Sequence, residues 1–200
     1  MSQNNTDKAI TLIGDEIKKS ESAWFSARKK RQRVDLKSDG NVFLLEKGTV
    51  SIYRVENDLV TITISAPAIL GLPQMHSDNT AHYFRCDTDC EMWVMSMQNM
   101  VTMLTSKNLW MHAFYILTNH LHCYFSREKL QSHRTIRELV IEHVKYIWEM
   151  APDVRDKTSV YTFILSRNHI SRSAIHKVLQ ELAHEGKIIL NRGKLSVFDV

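Results

Sequence analysis

The spacing of apolar residues changes from a period of two to a helical period near residue 98, and that change constrains the fold more than any other sequence feature. Across residues 42–97 apolar side chains tend to alternate with polar ones, a period of two that predicts β-strands. Two such runs, at residues 50–52 and 60–64, flank a polar turn and predict an antiparallel hairpin. Further strands are expected at residues 82–86 and 91–97. Several short strands without an intervening helix predict a small β-roll, barrel or sandwich.

Beyond residue 98 the spacing becomes helical and stays so to residue 150. A helix over residues 107–130 would be about 36 Å long, more than a small β-domain needs for itself. Its apolar residues follow one another at intervals of 4, 3, 4 and 3, which is typical of a seam between two helices. The predicted seam consists of Trp110, Phe114, Leu117, Leu121 and Tyr124. We expect a homodimer through this helix; the alternative is that the stripe packs on the β-domain of its own chain.

Three other segments carry weaker patterns. Residues 1–27 predict a polar tail followed by a short helix, and residues 161–165 look more like a strand than a helix. A second long helix is expected over residues 135–150. Its predicted buried face consists of Ile136, Leu139, Val140, Val144 and Ile147.

Charge points to the end of the chain. The 26 Lys and Arg against 22 Asp and Glu give a net charge of +4, and residues 153–200 hold 8 basic and 5 acidic side chains, so +3 of the +4 lies there. A separate basic run over residues 28–33 indicates either a nucleic-acid or acidic-lipid patch or a solvated strand edge protected by its charges.

Residues 171–184 predict an amphipathic helix with a narrow buried stripe. Its apolar residues Ile175, Val178, Leu179 and Leu182 fall at i, i+3, i+4 and i+7. Ser171 suits the N-cap, and Gly186 suits the left-handed residue that ends a helix. The opposite face is polar and contains no acid. It carries Ser173, His176, Lys177, Gln180 and His184, with Arg172 at its N-terminal shoulder.

A predicted β-hairpin follows this helix, with a tight turn at Asn191-Arg192-Gly193 and Lys194 beyond it. A helix followed by a hairpin with basic residues at its tip is the layout of a winged helix. Because an α-helix fits the major groove and Arg, Lys, Gln and Ser bond base edges or phosphates, this layout suits double-stranded DNA. The alternative is an amphipathic surface helix followed by an unrelated hairpin.

The run SRSAIHKVLQELAHEGKI resembles the recognition helix of the cyclic-AMP receptor and fumarate-nitrate regulator superfamily (Crp/Fnr). Upstream, GNVFLLEKGTVSIYR resembles the β-roll of that superfamily, ILGLPQM stands at its phosphate-cassette position, and HYFRCDTDCEMWVMSM resembles its closing strands. The segment YTFILSRNHISRSAIHKVLQELAHEGKIILNRGKLSVF is more closely similar to the winged helix of the inhibitor of hydrogen peroxide resistance family. The resemblance covers about 170 residues in consistent order.

This resemblance implies an α+β protein with a cyclic-nucleotide-binding-like β-roll over residues 1–106, a dimer helix over 107–132 and a winged helix-turn-helix over 133–200. It implies a DNA-binding transcription regulator that acts as a homodimer and represses oxidative-stress defence, with RNA polymerase as a further partner. The candidate DNA contacts are Ser171, Arg172, Ser173, His176, Lys177 and Gln180 on the helix, with Arg192 and Lys194 on the hairpin.

Departures from the superfamily pattern argue against its known effectors. Leu72 stands where cyclic-nucleotide binders have a Glu for the ribose, and Thr80 stands where they have an Arg for the phosphate. Iron-sulfur sensing requires four thiolates, and the chain has three cysteines. We therefore expect no cofactor, and no effector is identified. Ser173 replaces an acidic base-reading residue, so the preferred half-site should differ from the parent's.

Cys86 and Cys90 raise a redox hypothesis. If residues 87–89 form a hairpin turn, the two sulfurs approach disulfide distance and form a peroxide-sensing pair; in a continuous strand their Cα atoms would be about 13 Å apart. The alternative is ordinary buried strand cysteines.

The sequence gives little support to other functions. The histidines show no zinc-binding spacing, and there is no phosphate loop or arrangement of nucleophile and base, so we expect neither a metal site nor an enzyme. The polar start of the chain and the lack of a long apolar run predict a cytoplasmic protein without membrane contact. The competing hypothesis is a protein-interaction module whose degenerate helix-turn-helix no longer recognises a DNA sequence.

Overall fold

The alternating pattern folds into two four-stranded antiparallel sheets, with strand orders β1-β8-β3-β6 and β2-β7-β4-β5. A computed structural model of the chain describes residues 2–36, 40–75, 81–131 and 135–199. The strands of the two sheets are β1 Trp24–Arg28, β2 Arg33–Asp35, β3 Asn41–Lys47, β4 Thr49–Arg54, β5 Val60–Ser65, β6 Ala68–Leu70, β7 His82–Cys86 and β8 Cys90–Ser96. The predicted hairpin is confirmed as β4 and β5, with Val50 opposite Ile64 and Ile52 opposite Ile62.

Apolar side chains from both sheets fill the interior of this β-roll. Phe43 on β3 and Phe84 on β7 meet edge to face with their ring centroids 5.2 Å apart, and both are almost completely buried. Val50, Ile52 and Met92 belong to the same cluster. Burial of this surface drives the folding of the roll.

Helices cover the other face of the β1-β8-β3-β6 sheet. They are α1 Ser2–Lys19, α2 Met97–Ser106 and the first part of α3 Trp110–Gln131. Val42 and Leu44 of β3 pack against this helical layer, while Phe43 and Leu45 face the roll interior. Both faces of β3 are therefore buried, which explains four consecutive apolar residues in one strand. Helix α1 is longer than the predicted short helix because Ile13 and Ile17 bury a full side of it.

The phosphate-cassette position is closed by a tight turn. Gly71 has φ +93°, and a Cβ on it would lie 2.7 Å from the carbonyl oxygen of Asn41, so only glycine fits. Leu72 begins a short 3₁₀ helix, Leu72–Gln74, and is buried in the helical layer. Thr80, the other residue that separates this chain from cyclic-nucleotide binders, lies outside the described residues.

The chain divides into two compact units, Met1–Tyr124 and Phe125–Val200. Apart from the end of α3, the described residues of the second unit form four helices and a two-stranded antiparallel sheet. Its elements are α4 Ile136–Trp148, α5 Pro152–Arg155, α6 Val160–Leu165, α7 Arg172–His184, β9 Ile188–Asn191 and β10 Lys194–Phe198. They enclose a core of their own, which includes Val144, Ile147, Ile164, Leu179 and Leu182.

Two expectations for this unit were wrong. Residues 161–165 form helix α6 rather than a strand, because Val160, Phe163 and Ile164 lie at helical spacing and bury together, and the Ser159 hydroxyl caps the helix by accepting from the Thr162 amide. Tertiary burial overrides the strand preference of these side chains. Ile136, expected on the buried face of α4, is 43% exposed because it stands at the first turn, where Thr135 caps the helix.

Candidate nucleic-acid interface

Helix α7 forms as its sequence predicts. The Ser171 hydroxyl accepts a hydrogen bond from the Ala174 amide, which caps the helix, and Gly186 follows its C-terminus with φ +75°. The four predicted core residues are buried. This burial fixes the rotation of α7 about its axis, and its polar face is left in solvent.

The structure brings the predicted helix residues together on that polar face. The exposed side chains are Ser171, Arg172, Ser173, His176, Lys177 and Gln180. The hydroxyls of Ser171, which caps the helix, and Ser173 are 3.0 Å apart. At 1.5 Å per residue, the 13 residues of α7 span about 20 Å, enough to lie along several base pairs of a major groove.

The acidic residues Glu181 of α7 and Glu185 at its C-terminal cap are paired with cations away from this face. The Arg137 guanidinium on α4 bonds the Glu181 carboxylate at 3.2 Å and the Glu185 carboxylate at 2.7 Å, and the Lys187 ammonium reaches Glu185 at 2.9 Å. Hydrogen bonds from Lys187 and then Arg137 hold the pKa of Glu185 below its usual range. The exposed face of α7 therefore presents cationic and polar groups to an anionic partner.

The predicted hairpin is confirmed as β9 and β10, joined by a two-residue turn of Arg192 and Gly193. Both residues have positive φ, 50° and 77°, as a type I′ turn requires. The Val160 amide at the start of α6 donates to the Gly193 carbonyl oxygen at 2.9 Å, which ties the turn to the helices. Arg192 and Lys194 are exposed on either side of Gly193.

Sequence reasoning missed two residues beside this surface. Arg155 on α5 lines the same surface groove as Arg192 and Lys194, with its guanidinium 4.2 Å from the Trp148 ring centroid. Tyr161 on α6 bonds His176, its hydroxyl oxygen 2.8 Å from Nδ1. Neither lies at a sequence spacing that connects it to its partners, so only the folded chain reveals the contacts.

A buried polar contact holds the turn before α7. Asn168 is buried, and its amide nitrogen donates to His143 Nε2 and to the Ile164 carbonyl oxygen, each at 3.0 Å. His143 Nδ1 lies 2.8 Å from the Leu139 carbonyl oxygen. These bonds compensate the loss of water around both side chains and connect α4 with α6.

The residues of the predicted dimer seam on α3 differ in their exposure to solvent. Trp110, Phe114 and Leu121 are 40%, 57% and 50% exposed, whereas Leu117 packs against the core of its own unit. Tyr124 is half-buried, with its ring 6.1 Å from the ring of His82. Three large apolar side chains of the seam are therefore open to solvent in a single chain.

The two cysteines of the redox hypothesis lie at adjoining strand ends in different sheets, so residues 87–89 do not join paired strands. Cys86 ends β7, Cys90 begins β8, and both thiols are buried and free. Burial, and then the neighbouring Cys90, raise the pKa of Cys86 to about 12. Because a thiolate is the reactive form, these surroundings favour structural strand cysteines.

The basic run at residues 28–33 is partly neutralised. The Lys29 ammonium lies 3.0 Å from an Asp89 carboxylate oxygen, and the Arg33 guanidinium lies 2.8 Å from Asp35. Among the described residues Lys30 and Arg31 of this run form no ion pair, so both interpretations of the run stay open.

The described residues meet neither the requirements of a metal site nor those of a membrane-spanning helix. Across residues 2–36, 40–75, 81–131 and 135–199, no group of three or more His, Cys, Asp or Glu side chains is arranged to hold a metal ion. Within the same ranges, every helix is too short or too polar to cross a membrane.

The geometry defines a winged helix-turn-helix preceded by a β-roll, and comparison with known proteins confirms both parts. Residues 133–199 match the family model described as winged helix-turn-helix DNA binding. CLP, a c-di-GMP responsive global regulator of Xanthomonas campestris, superimposes with a TM-score of 0.76 at 13% identity, covering 95% of this chain and 100% of CLP. A Crp/Fnr-family regulator from Eubacterium rectale gives 0.70 at 13% identity, with 94% and 90% covered. The chain has the Crp/Fnr fold.

Comparison by sequence gives a narrower set of similar proteins than comparison by structure. The chain is 29% identical over 169 residues to the inhibitor of hydrogen peroxide resistance of Escherichia coli K12, covering 82% of this chain and 81% of that protein. It is 26% identical over 163 residues to the protein of the same name from Salmonella typhimurium, covering 79% and 76%. The predicted resemblance is confirmed.

Proposed function

We propose that this protein is a sequence-specific DNA-binding transcription regulator whose helix α7 enters the major groove. One observation carries the proposal: a capped, firmly packed helix presents an exposed face without acids, and a basic hairpin follows it. A major groove about 12 Å wide admits such a helix, and each base pair there shows a distinct pattern of donors and acceptors.

The exposed side chains divide between two kinds of contact. Arg172, Ser173, His176, Lys177 and Gln180 are assigned to base edges, because they lie on the exposed face of α7. Arg192 and Lys194 are assigned to phosphates, because the type I′ turn holds them at the tip of the hairpin. Phosphate contacts position a protein on DNA, whereas base contacts specify the sequence.

The exposed seam of α3 supports dimerisation. Trp110, Phe114 and Leu121 would be buried by a second copy of the same helix, as aromatic and leucine residues at seam positions are in paired helices. A two-fold dimer of this kind recognises a two-fold DNA site. Its half-sites are expected about one helical turn, roughly 34 Å, apart.

Leu72 argues for a roll that does not take cyclic nucleotides. It places a buried apolar side chain where a ribose-binding carboxylate would be needed. Cyclic AMP at about 1 mM should leave the melting temperature unchanged, since a ligand stabilises a protein only to the extent that it binds the folded state. A rise of several degrees would overturn this part of the proposal.

The names of the sequence relatives support a role in oxidative stress. We assign this chain negative regulation of hydrogen peroxide resistance, with RNA polymerase as a further partner. Deleting the gene in its own host should increase survival under peroxide, and the wild-type gene should reverse the effect. The Lys177→Ala variant should fail to reverse it. Unchanged survival of the deletion strain would contradict this role.

Selection from a pool of random duplexes tests DNA recognition directly. The wild-type protein should enrich a two-fold motif. Lys177→Ala should bind that motif with roughly tenfold lower affinity, which is typical of one lost base contact. Lys157→Ala is the matched control, because Lys157 is also an exposed lysine of the same unit but lies outside α7 and the wing. Salt-sensitive binding without any enriched motif would refute sequence recognition and favour the interaction module.

A further inference from the structure

Tyr161 joins three parts of the DNA-binding unit. It stands in the first turn of α6, and its hydroxyl oxygen lies 2.8 Å from Nδ1 of His176 on α7. The Arg172 guanidinium carbon lies 5.0 Å from the centroid of its ring. On the other side, a Cβ placed on Gly193 in the wing turn would lie 3.9 Å from Tyr161 Cδ2. Tyr161 therefore contacts the recognition helix, and its ring lies beside the wing turn.

The hydrogen bond to Tyr161 favours one tautomer of His176, because the phenol hydroxyl donates better than it accepts. A neutral imidazole has one N–H donor and one acceptor nitrogen, and a phenol is a good donor. With the Tyr161 hydroxyl donating to Nδ1, the hydrogen of His176 is on Nε2, on the opposite side of the ring. In the imidazolium form Nε2 also carries a hydrogen, and the phenol oxygen accepts from Nδ1. In both forms Nε2 is a donor on an exposed side chain.

We infer that Tyr161 is a positioning residue that makes His176 recognise a hydrogen-bond acceptor on DNA. The inference rests on the proposed function, because it requires α7 to lie in the major groove. Guanine presents N7 and O6 there, adenine N7 and thymine O4, whereas cytosine presents the N4 amino donor. The base that faces His176 should therefore be a purine or thymine, and cytosine should be disfavoured.

The Tyr161→Phe substitution isolates the hydroxyl. It keeps the aromatic ring beside Arg172 and Gly193 and removes only the group that bonds Nδ1. The neutral imidazole of His176 is then free to carry its hydrogen on either nitrogen, so Nε2 accepts as well as donates. Discrimination against cytosine at one base position should fall by roughly fivefold, and preferences at the other positions should remain.

Selection from random duplexes at about pH 8, where histidine is ordinarily neutral, measures this effect. His176→Ala should lose the same base preference. Adding Tyr161→Phe to His176→Ala should change nothing further, because the hydroxyl acts through the imidazole. Unchanged discrimination in Tyr161→Phe would overturn the inference and leave the proposed function standing. So would an equal loss of affinity for all sequences, which would indicate a role in packing alone.

A second measurement needs no DNA. Long-range proton–nitrogen NMR of the imidazole rings distinguishes the two neutral tautomers, and comparison with His176→Ala identifies the signal among the 10 histidines. The wild-type protein should show the Nε2–H tautomer, and Tyr161→Phe should show a mixture. An Nδ1–H tautomer in the wild type would overturn the inference even if a motif is enriched. If the wild type enriches no motif, the proposed function and the base contact both fail, and the spectrum still reports the hydrogen bond.

Discussion

The two compact units pair their cations differently. In the first unit, several surface cations are matched by nearby acids: Lys18 bonds Glu46 at 3.0 Å and Lys47 bonds Glu91 at 3.1 Å. In the second unit, within the part of the chain that the structure describes, Lys177, Arg192 and Lys194 have no ion-pair partner. The ion pairs of that unit lie around Arg137, on the α4 side of α7.

This difference shows that the distribution of ion pairs is more informative than net charge. A paired cation has little attraction left for a distant anion, whereas an unpaired cation gains by approaching a phosphate. Both units contain basic clusters in sequence: the cluster of the first unit is paired in part, through Lys29 and Arg33, whereas Lys177, Arg192 and Lys194 of the second form no ion pair among the described residues. The first unit is distinguished instead by an interior that side chains fill and by an exposed apolar stripe on α3.

The largest expected effect concerns the filled interior of the roll. Phe43→Ala should lower the free energy of unfolding of the first unit by about 3–5 kcal/mol, because it removes a buried ring and leaves a cavity beside Phe84. Urea unfolding followed by circular dichroism measures the change. Phe25→Ala is the control, since Phe25 is 50% exposed and should cost much less. Equal losses would show that the roll interior is loosely packed.

Alkaline pH should weaken the first unit through a buried tyrosine. Burial, and then the hydrogen bond that its hydroxyl donates to Asp58, raise the pKa of Tyr83 to about 12. The unfolded chain releases this proton near pH 10, so the folded state holds more protons between about pH 10 and 12. The contribution of Tyr83 to the free energy of unfolding is complete below pH 10 and declines as pH rises from 10 to about 12.

The unfolding free energy measured in urea across this pH range checks the prediction. The free energy of unfolding of Tyr83→Phe should fall less steeply with pH than that of the wild type, because the variant has no proton to lose at this position. Parallel curves for the two proteins would show that Tyr83 does not control the alkaline transition.

Matched lysines test the comparison of paired and unpaired cations. Lys194→Ala on the wing should weaken DNA binding by about 1 kcal/mol on every sequence and should reduce the slope of log affinity against log salt by about 1. Lys47→Ala, which removes a lysine paired with Glu91, should change neither quantity. Affinity titrations at several salt concentrations measure both variants. A comparable loss from Lys47→Ala would contradict the distinction between the units.

The smallest expected effect separates two serines at the start of α7. Ser171→Ala removes the helix cap and should lower the free energy of unfolding of the second unit by about 1 kcal/mol. Ser173→Ala, which removes an exposed hydroxyl two residues later, should change stability little but alter base preference. Thermal unfolding and duplex selection on both variants give the result. A stability loss from Ser173→Ala as large as that from Ser171→Ala would show that the two hydroxyls act together as the cap.

Local patterns in the sequence predicted the elements that carry the candidate site. The spacing of Ile175, Val178, Leu179 and Leu182 set the buried side of α7 and therefore its polar side, because a helix has a fixed period. The β4–β5 hairpin and the wing turn at Gly193 followed equally from alternation and turn residues. Such features depend on neighbours within a few positions, so they can be predicted from a single sequence.

Contacts between distant segments were decided by the tertiary structure. The bond between Tyr161 and His176 spans 15 positions, that between His143 and Asn168 spans 25, and Arg137 reaches Glu185 across 48. No local pattern encodes these pairs, because they exist only when several helices share one core. The same core made residues 160–165 a helix against their strand-like composition. The sequence by itself determined which groups face the solvent on α7, and the packing of the helices decided how those groups are held and which of them stay unpaired.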